Sequence, residues 1–216
     1  MRQNENLPIT TNKYHQLIKM GFFNSEQRIE LINGLLVQKP QVSPQHRATT
    51  HRLRKILSDV INSESRNSSI VFMNSPITLA QLNSEPEPDL VVVTARDDEY
   101  RYHHPTASDI QVLIEVSDET LVFDQMEKYQ LYARAMIPDY WFINLVDDEI
   151  EFYLSPSISD EGQPCYRSKT ILPLDDATVA QRIYQQQFIE RTAGAWQGEP
   201  LTRPEQGKFE NRLEFL

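Results

Sequence analysis

The chain has one cysteine, Cys165, among 216 residues. A single thiol excludes an internal disulfide and any zinc or iron–sulfur site built on cysteines, and it fits a reducing cytoplasm. Positive charge is scarce as well: 21 Lys and Arg stand against 31 Asp and Glu, a net charge of −10. Proteins that grip nucleic acid through bulk charge have the opposite sign. Such a contact would need a local basic patch, while the acidic residues remain available to hold a metal. Long apolar runs are missing. No window reaches the roughly 18 consecutive apolar residues of a membrane helix. No apolar stretch of signal-peptide length follows the first charges of MRQNENLPITTNKYHQL, and the last four residues form no lipidation box. A soluble, cytoplasmic protein without a membrane partner is expected. Internal repeats and low-complexity tracts are also lacking. With 24% charged and 39% hydrophobic residues, the chain is neither a coiled coil nor disordered throughout.

Hydrophobic patterning supplies the elements. Thr10 to Met20 reads as a short helix, with Thr10 or Thr11 as N-cap and Gly21 as stop. Asn33-Gly34 between apolar runs from Ile29 to Gln38 signals a two-residue hairpin. Gln45 to Ile61 carries Leu53, Ile56, Leu57, Val60 and Ile61 at helical spacing. Strands are expected at Ile70–Leu79, Asp89–Thr94, Ile110–Ser117, Asp139–Val146 and Glu149–Leu154. The nearly continuous apolar run at Ile110–Ser117 marks the middle of a sheet. Phe123–Met136 reads as a second helix and Arg182–Arg191 as a final one. The polar stretch Ala95–Asp109 is too long for a hairpin turn and reads as a mobile flap near the site. His103-His104 within it has no partner at ligand spacing. The order of elements suggests α/β or α+β, with helices flanking a central sheet, and mixed α/β is the expected class. Residues 1–190 form a single domain on this reading. Residues 191–216 form a polar extension laid over the surface or partly disordered.

Two acids stand where apolar residues belong. Glu115 lies inside Val112-Leu113-Ile114-Glu115-Val116. A carboxylate there must be paired, hydrogen-bonded, protonated or metal-bound. It either pairs at a strand edge or serves a site. Asp89 opens the strand after Pro88 and either completes a turn or joins Glu115. If the two strands are antiparallel neighbours, as consecutive strands often are, both carboxylates meet at one rim. Two converging carboxylates repel unless a cation lies between them, and oxygen ligands suit Mg²⁺ or Mn²⁺. Lys128 would sit about 7 Å into a helix starting near Phe123, within reach of that rim. It shares a face with Asp124 and Tyr132, so a plain Asp124–Lys128 surface pair is the competing reading. The Tyr140-Trp141-Phe142-Ile143 segment reads as core packing.

Taken in order, Glu30-Leu31-Ile32-Asn33-Gly34, Ser43-Pro44-Gln45-His46, Pro88-Asp89, Glu115 in IEVS, Asp124 and Lys128, and Tyr140-Trp141 resemble the Uma-two family of restriction endonucleases. That family lies within the PD-(D/E)xK nuclease superfamily. The resemblance runs from about Thr10 to Pro156. It implies a restriction-endonuclease-like core and a Mg²⁺-dependent endonuclease that hydrolyses DNA, Mn²⁺ substituting. Asp89, Glu115 and Lys128 would be catalytic, Asp89 and Glu115 the metal ligands. The superfamily's lysine stands two residues after the acid. That place is Ser117 here, and the lysine role moves to Lys128. Glu30, His46 and Asp124 are candidates for supporting the metal shell, although Glu30 reads better as a hairpin residue. The family's EVLSPST is here Glu115-Val116-Ser117-Asp118-Glu119-Thr120, with two extra acids beside the site. They motivate an alternative, an inactive nuclease-fold protein kept for binding or assembly. Superfamily enzymes commonly act as dimers, so a homodimer is expected. The helix from Gln45 to Ile61 holds Arg47, Arg52, Arg54 and Lys55 against Asp59 alone, making those four the candidate phosphate contacts.

Overall fold

The computed structural model describes residues 8–24, 27–63, 69–118 and 124–183. Helix α1 spans Thr11–Lys19, and the Thr10 hydroxyl caps it by accepting from the Lys13 N–H at 3.3 Å. Strands β1 (Ile29–Ile32) and β2 (Leu35–Gln38) form an antiparallel hairpin. Its two turn residues, Asn33 and Gly34, have φ of 49° and 79°, the type I′ geometry that matches strand twist. The Leu31–Glu85 bridge ties this hairpin to the rest of the molecule. Gly34 is needed for a second reason: a Cβ there would lie 2.9 Å from Pro8 Cα and collide with Pro8 Cβ. Gly34→Ala is therefore expected to lower stability by about 1–3 kcal/mol, from the left-handed backbone and the overpacking together. A urea melt with an unchanged midpoint would refute this.

Helix α2 spans Pro44–Ser63. The main sheet has six strands in sequence order, namely β3 (Ser69–Met73), β4 (Leu90–Thr94), β5 (Ile110–Ser117), β6 (Asp139–Asn144), β7 (Glu149–Ile158) and β8 (Pro164–Pro173). Every neighbouring pair is antiparallel except β5–β6. That parallel pair needs a crossover, which carries a π-helical turn at Asp124–Lys128 leading into α3, Tyr129–Arg134. Alternation divides the core between the two faces. Leu90, Val92, Ile114, Val116, Trp141 and Ile143 pack with Leu53 and Leu57 of α2. Val91, Val93, Leu113, Tyr140 and Phe142 pack with Leu131 and Tyr132 of α3. With both faces covered, β5 is buried almost throughout, which explains its unbroken apolar run. Among the described residues no helix is long and apolar enough to cross a membrane.

Four sequence expectations need correction. The strand expected at Ile70–Leu79 ends at Met73, because Asn74 turns with φ 48°. Strand β8 escaped detection: from Arg167 to Pro173 it is exposed, so it shows no apolar alternation there. The last helix is already formed at 176–183, where Asp175 caps it through the Thr178 N–H at 2.8 Å. The rest of the expected Arg182–Arg191 helix, and the extension 191–216, lie outside the described residues. Finally, the Ala95–Asp109 segment leaves from the end of β4 and returns at the start of β5, the rim opposite Asp89 and Glu115. It is no flap over them. Tyr100 anchors it in the core, its hydroxyl donating to Thr94 O at 2.7 Å.

Candidate active site

Asp89 and Glu115 meet because of strand register. Leu90 pairs with Ile114, so Asp89, one residue before β4, falls opposite Glu115. Glu115 shares the parity of Leu113 and reaches Lys128 and Tyr132 on the α3 side, while Asp89 stands at the rim, where His46 of α2 meets it. Asp89 and Glu115 are 3% and 2% exposed. The crossover then brings Lys128 back over the rim. It is 2% exposed, and its Nζ lies 2.9 Å from Glu115 Oε1 and 3.5 Å from Glu30 Oε1. Lys128 is therefore no surface lysine; the side chain of Asp124, the other partner in the competing reading, lies outside the described residues. A π-turn ending on Lys128 suits this place, since such turns are frequent at functional sites. One turn further, the Tyr132 hydroxyl donates to the same Glu115 oxygen at 2.6 Å. Burial first, then the charges of Glu115 and Glu30, hold Tyr132 well above the ordinary tyrosine pKa, so it remains a donor.

Glu30 belongs to this cluster and is more than a hairpin residue. It is 1% exposed, accepts the Glu87 N–H at 2.7 Å and lies 3.5 Å from Lys39 Nζ. Lys39 in turn donates to Glu87 O at 2.5 Å. The hairpin thereby clamps the segment leading into Asp89. Glu30 carried a sequence signal, a carboxylate in the apolar run IELI. Lys39, which follows β2, carried none and was missed.

His46 enters from the first turn of α2, where the Ser43 hydroxyl accepts its N–H at 3.1 Å. Its Nε2 lies 3.1 Å from Asp89 Oδ2, and the Val116 N–H donates to that oxygen at 2.9 Å. Burial opposes charge on His46, but the hydrogen bond and charge of Asp89, with Asp118 behind them, raise its pKa above 6.5. Burial likewise opposes ionised Asp89, yet the His46 hydrogen bond, the Lys39 charge and the Val116 N–H bring its pKa below 3.8. The sign follows. The histidine's share of stability is complete below its ordinary pKa and is lost as pH rises through the raised value. Asp89's share is present above 3.8 and is lost as pH falls through the lowered one. In an NMR titration the His46 imidazole is expected to deprotonate above the ordinary histidine value of 6.5. A lower midpoint would mean that desolvation wins.

The four basic residues of α2 do not converge on this point. Arg47 is exposed beside His46. Arg52 turns to the other shoulder of the helix and pairs with Asp176 at 2.6 Å. Arg54 and Lys55 are exposed further along.

The cluster opens into a cleft of about 350 Å³ whose walls include Glu30, Lys39, His46, Asp89, Glu115 and Lys128, with Asp118 among the remaining lining residues. Four acids face two lysines, which favours a cation there. The donors fit a hard divalent ion. Asp89 Oδ1 accepts no hydrogen bond among the described residues. Among those residues no three His, Cys, Asp or Glu gather as a metal cage. A magnesium-like ion needs only one or two carboxylates and keeps its waters.

A family model named Uma2, with the description "Putative restriction endonuclease", matches residues 11–191. No curated protein matches the chain significantly. Among solved structures, one described as "a putative nuclease belonging to DUF820 from Anabaena variabilis" shares the fold. It is 14% identical with a TM-score of 0.55, over 81% of this chain and 98% of that one.

Proposed function

The chain belongs to the Uma2 family, and from that membership we propose that it is a metal-dependent endonuclease hydrolysing DNA phosphodiester bonds. The observation that carries the reading is the buried Lys128 ammonium, 2.9 Å from Glu115, in one cleft with Asp89. Asp89 and Glu115 would hold Mg²⁺, or Mn²⁺ in its place, and such an ion supplies an activated water and charge neutralisation on phosphoryl oxygens. The chain's own groups do the rest. Lys128, fixed by Glu115 and Glu30, offers a preorganised cation where negative charge develops. Tyr132 and Lys128 hold Glu115, and His46 and the Val116 N–H hold Asp89, so neither carboxylate must reorganise. Cutting both strands of a duplex takes two such sites, which a homodimer would supply. The single cysteine suits a cytoplasmic location.

The test is nicking of supercoiled plasmid with Mn²⁺ by the wild type beside Asp89→Asn and Glu115→Gln. Cleavage by the wild type alone is expected. Equal cleavage by all three would mean a contaminant or another site. A second reading, an inactive binding scaffold, draws on Asp118 at the cleft and on the direct Glu115–Lys128 pair. It requires a folded protein that neither cleaves nor binds Mn²⁺ by calorimetry.

A further inference from the structure

Beside the cleft lies a second depression, also about 350 Å³. The two share His46 and Val42 in their walls, so the concave surface continues from one into the other. Its charge is reversed. Arg28, Arg47 and His51 line it together with Asn74, and Glu87 is its one acid. In a chain of net charge −10, such a basic hollow next to an acidic one calls for an explanation.

We infer that this second depression receives the phosphodiester backbone flanking the bond placed in the cleft. The inference rests on the nuclease reading above and adds to it the direction in which the strand leaves. Three observations support it. First, the hollow is fixed to the catalytic rim: the Asn74 N–H donates to Asp89 O at 3.0 Å, so the two residues are held side by side. Second, the cations come from independent elements. Arg28 precedes β1 and Arg47 lies on α2, and a concave site with donors on two walls can grip a phosphate from both sides. Third, the cations are available. Arg28 Nη2 lies 3.8 Å from Glu87 with both side chains partly exposed, a pairing of little strength. Its 3.4 Å bond to Asn74 Oδ1 leaves the Asn74 amide NH₂ as a further donor. Glu87 is held in the wall by its backbone, its N–H donating to Glu30 and its carbonyl accepting from Lys39. Arg52 does not share this role, being turned away to Asp176.

The test uses the full chain and a short fluorescein-labelled DNA duplex. Binding is followed by anisotropy in EDTA over a range of salt, and plasmid nicking gives KM and kcat. Arg28→Ala and Arg47→Ala should each reduce the salt slope of log Kd by about one, and the double variant by about two. KM should rise while kcat is kept. Arg101→Ala, in the loop at the opposite rim, serves as the charge-matched control and should leave the slope unchanged. Cleavage with slope and KM unaltered in Arg28→Ala and Arg47→Ala would overturn the inference and leave the nuclease reading standing. A wild type that neither binds nor cleaves the duplex would overturn both. A slope reduced equally by Arg101→Ala would mean diffuse attraction, and would overturn the inference as well.

Discussion

Lys128→Met is expected to lose about 10²–10³-fold in cleavage, the usual cost of removing one preorganised charge-stabilising donor. It should also cost about 3–5 kcal/mol of stability, because removing one partner of a buried ion pair strands the other. Here two carboxylates depend on the ammonium, Glu115 at 2.9 Å and Glu30 at 3.5 Å. Methionine keeps the unbranched stem up to the ε position and none of the charge, so lost packing is a minor part of the effect. The two readouts are plasmid nicking, normalised to folded protein, and a urea melt. Cleavage at the wild-type rate would show that Lys39, on the same cleft, supplies the cation, and the role given to Lys128 would be wrong.

Trp141→Ala is expected to have the largest purely structural effect. The ring is fully buried, packs edge-on against Phe152 at 5.0 Å, and donates from Nε1 to Asp139 Oδ1 at 2.8 Å. Large-to-small substitution at such a site costs about 3–5 kcal/mol, or roughly 10 °C or more in Tm for a domain of this size. Arg182 adds to the cost, since it donates to the other Asp139 oxygen at 2.9 Å. Losing the indole unbalances that arrangement as well as opening a cavity. Trp141→Phe should fall between the two, keeping part of the volume but not the donor. A Trp141→Ala protein melting with the wild type would contradict the packing described for this face.

Local signals were strong enough to read most of the sheet and half of the site. Asn33-Gly34 can make little but a hairpin turn, and the run Ile110–Ser117 fits only a strand covered on both faces. Asp89 and Glu115 stood out because each broke an apolar pattern, and antiparallel pairing of consecutive strands sufficed to bring them together. What stayed hidden depends on contacts between distant residues. Nothing near Lys39 in sequence says that its ammonium will reach Glu87, 48 residues on. His46 was a candidate through the resemblance, but nothing near it in sequence says that its partner is Asp89, 43 residues on. Arg47, Arg52, Arg54 and Lys55 looked like one basic face because a charge count ignores the 100° step between helical residues. Strand β8 was unreadable for another reason: from Arg167 on its residues meet solvent, so burial left no imprint on their order.

That exposed strand also bears on how the molecule behaves in crowded solution. As one of the two edge strands of the described sheet, β3 being the other, β8 is a place where a stray chain could add by backbone pairing and seed aggregates. It begins at Pro164 and ends at Pro173, and proline offers no amide hydrogen to an incoming neighbour. Arg167 and Lys169 along its length place charge beside any approaching strand. The composition that concealed β8 from pattern reading thus protects this edge of the sheet against growing sideways.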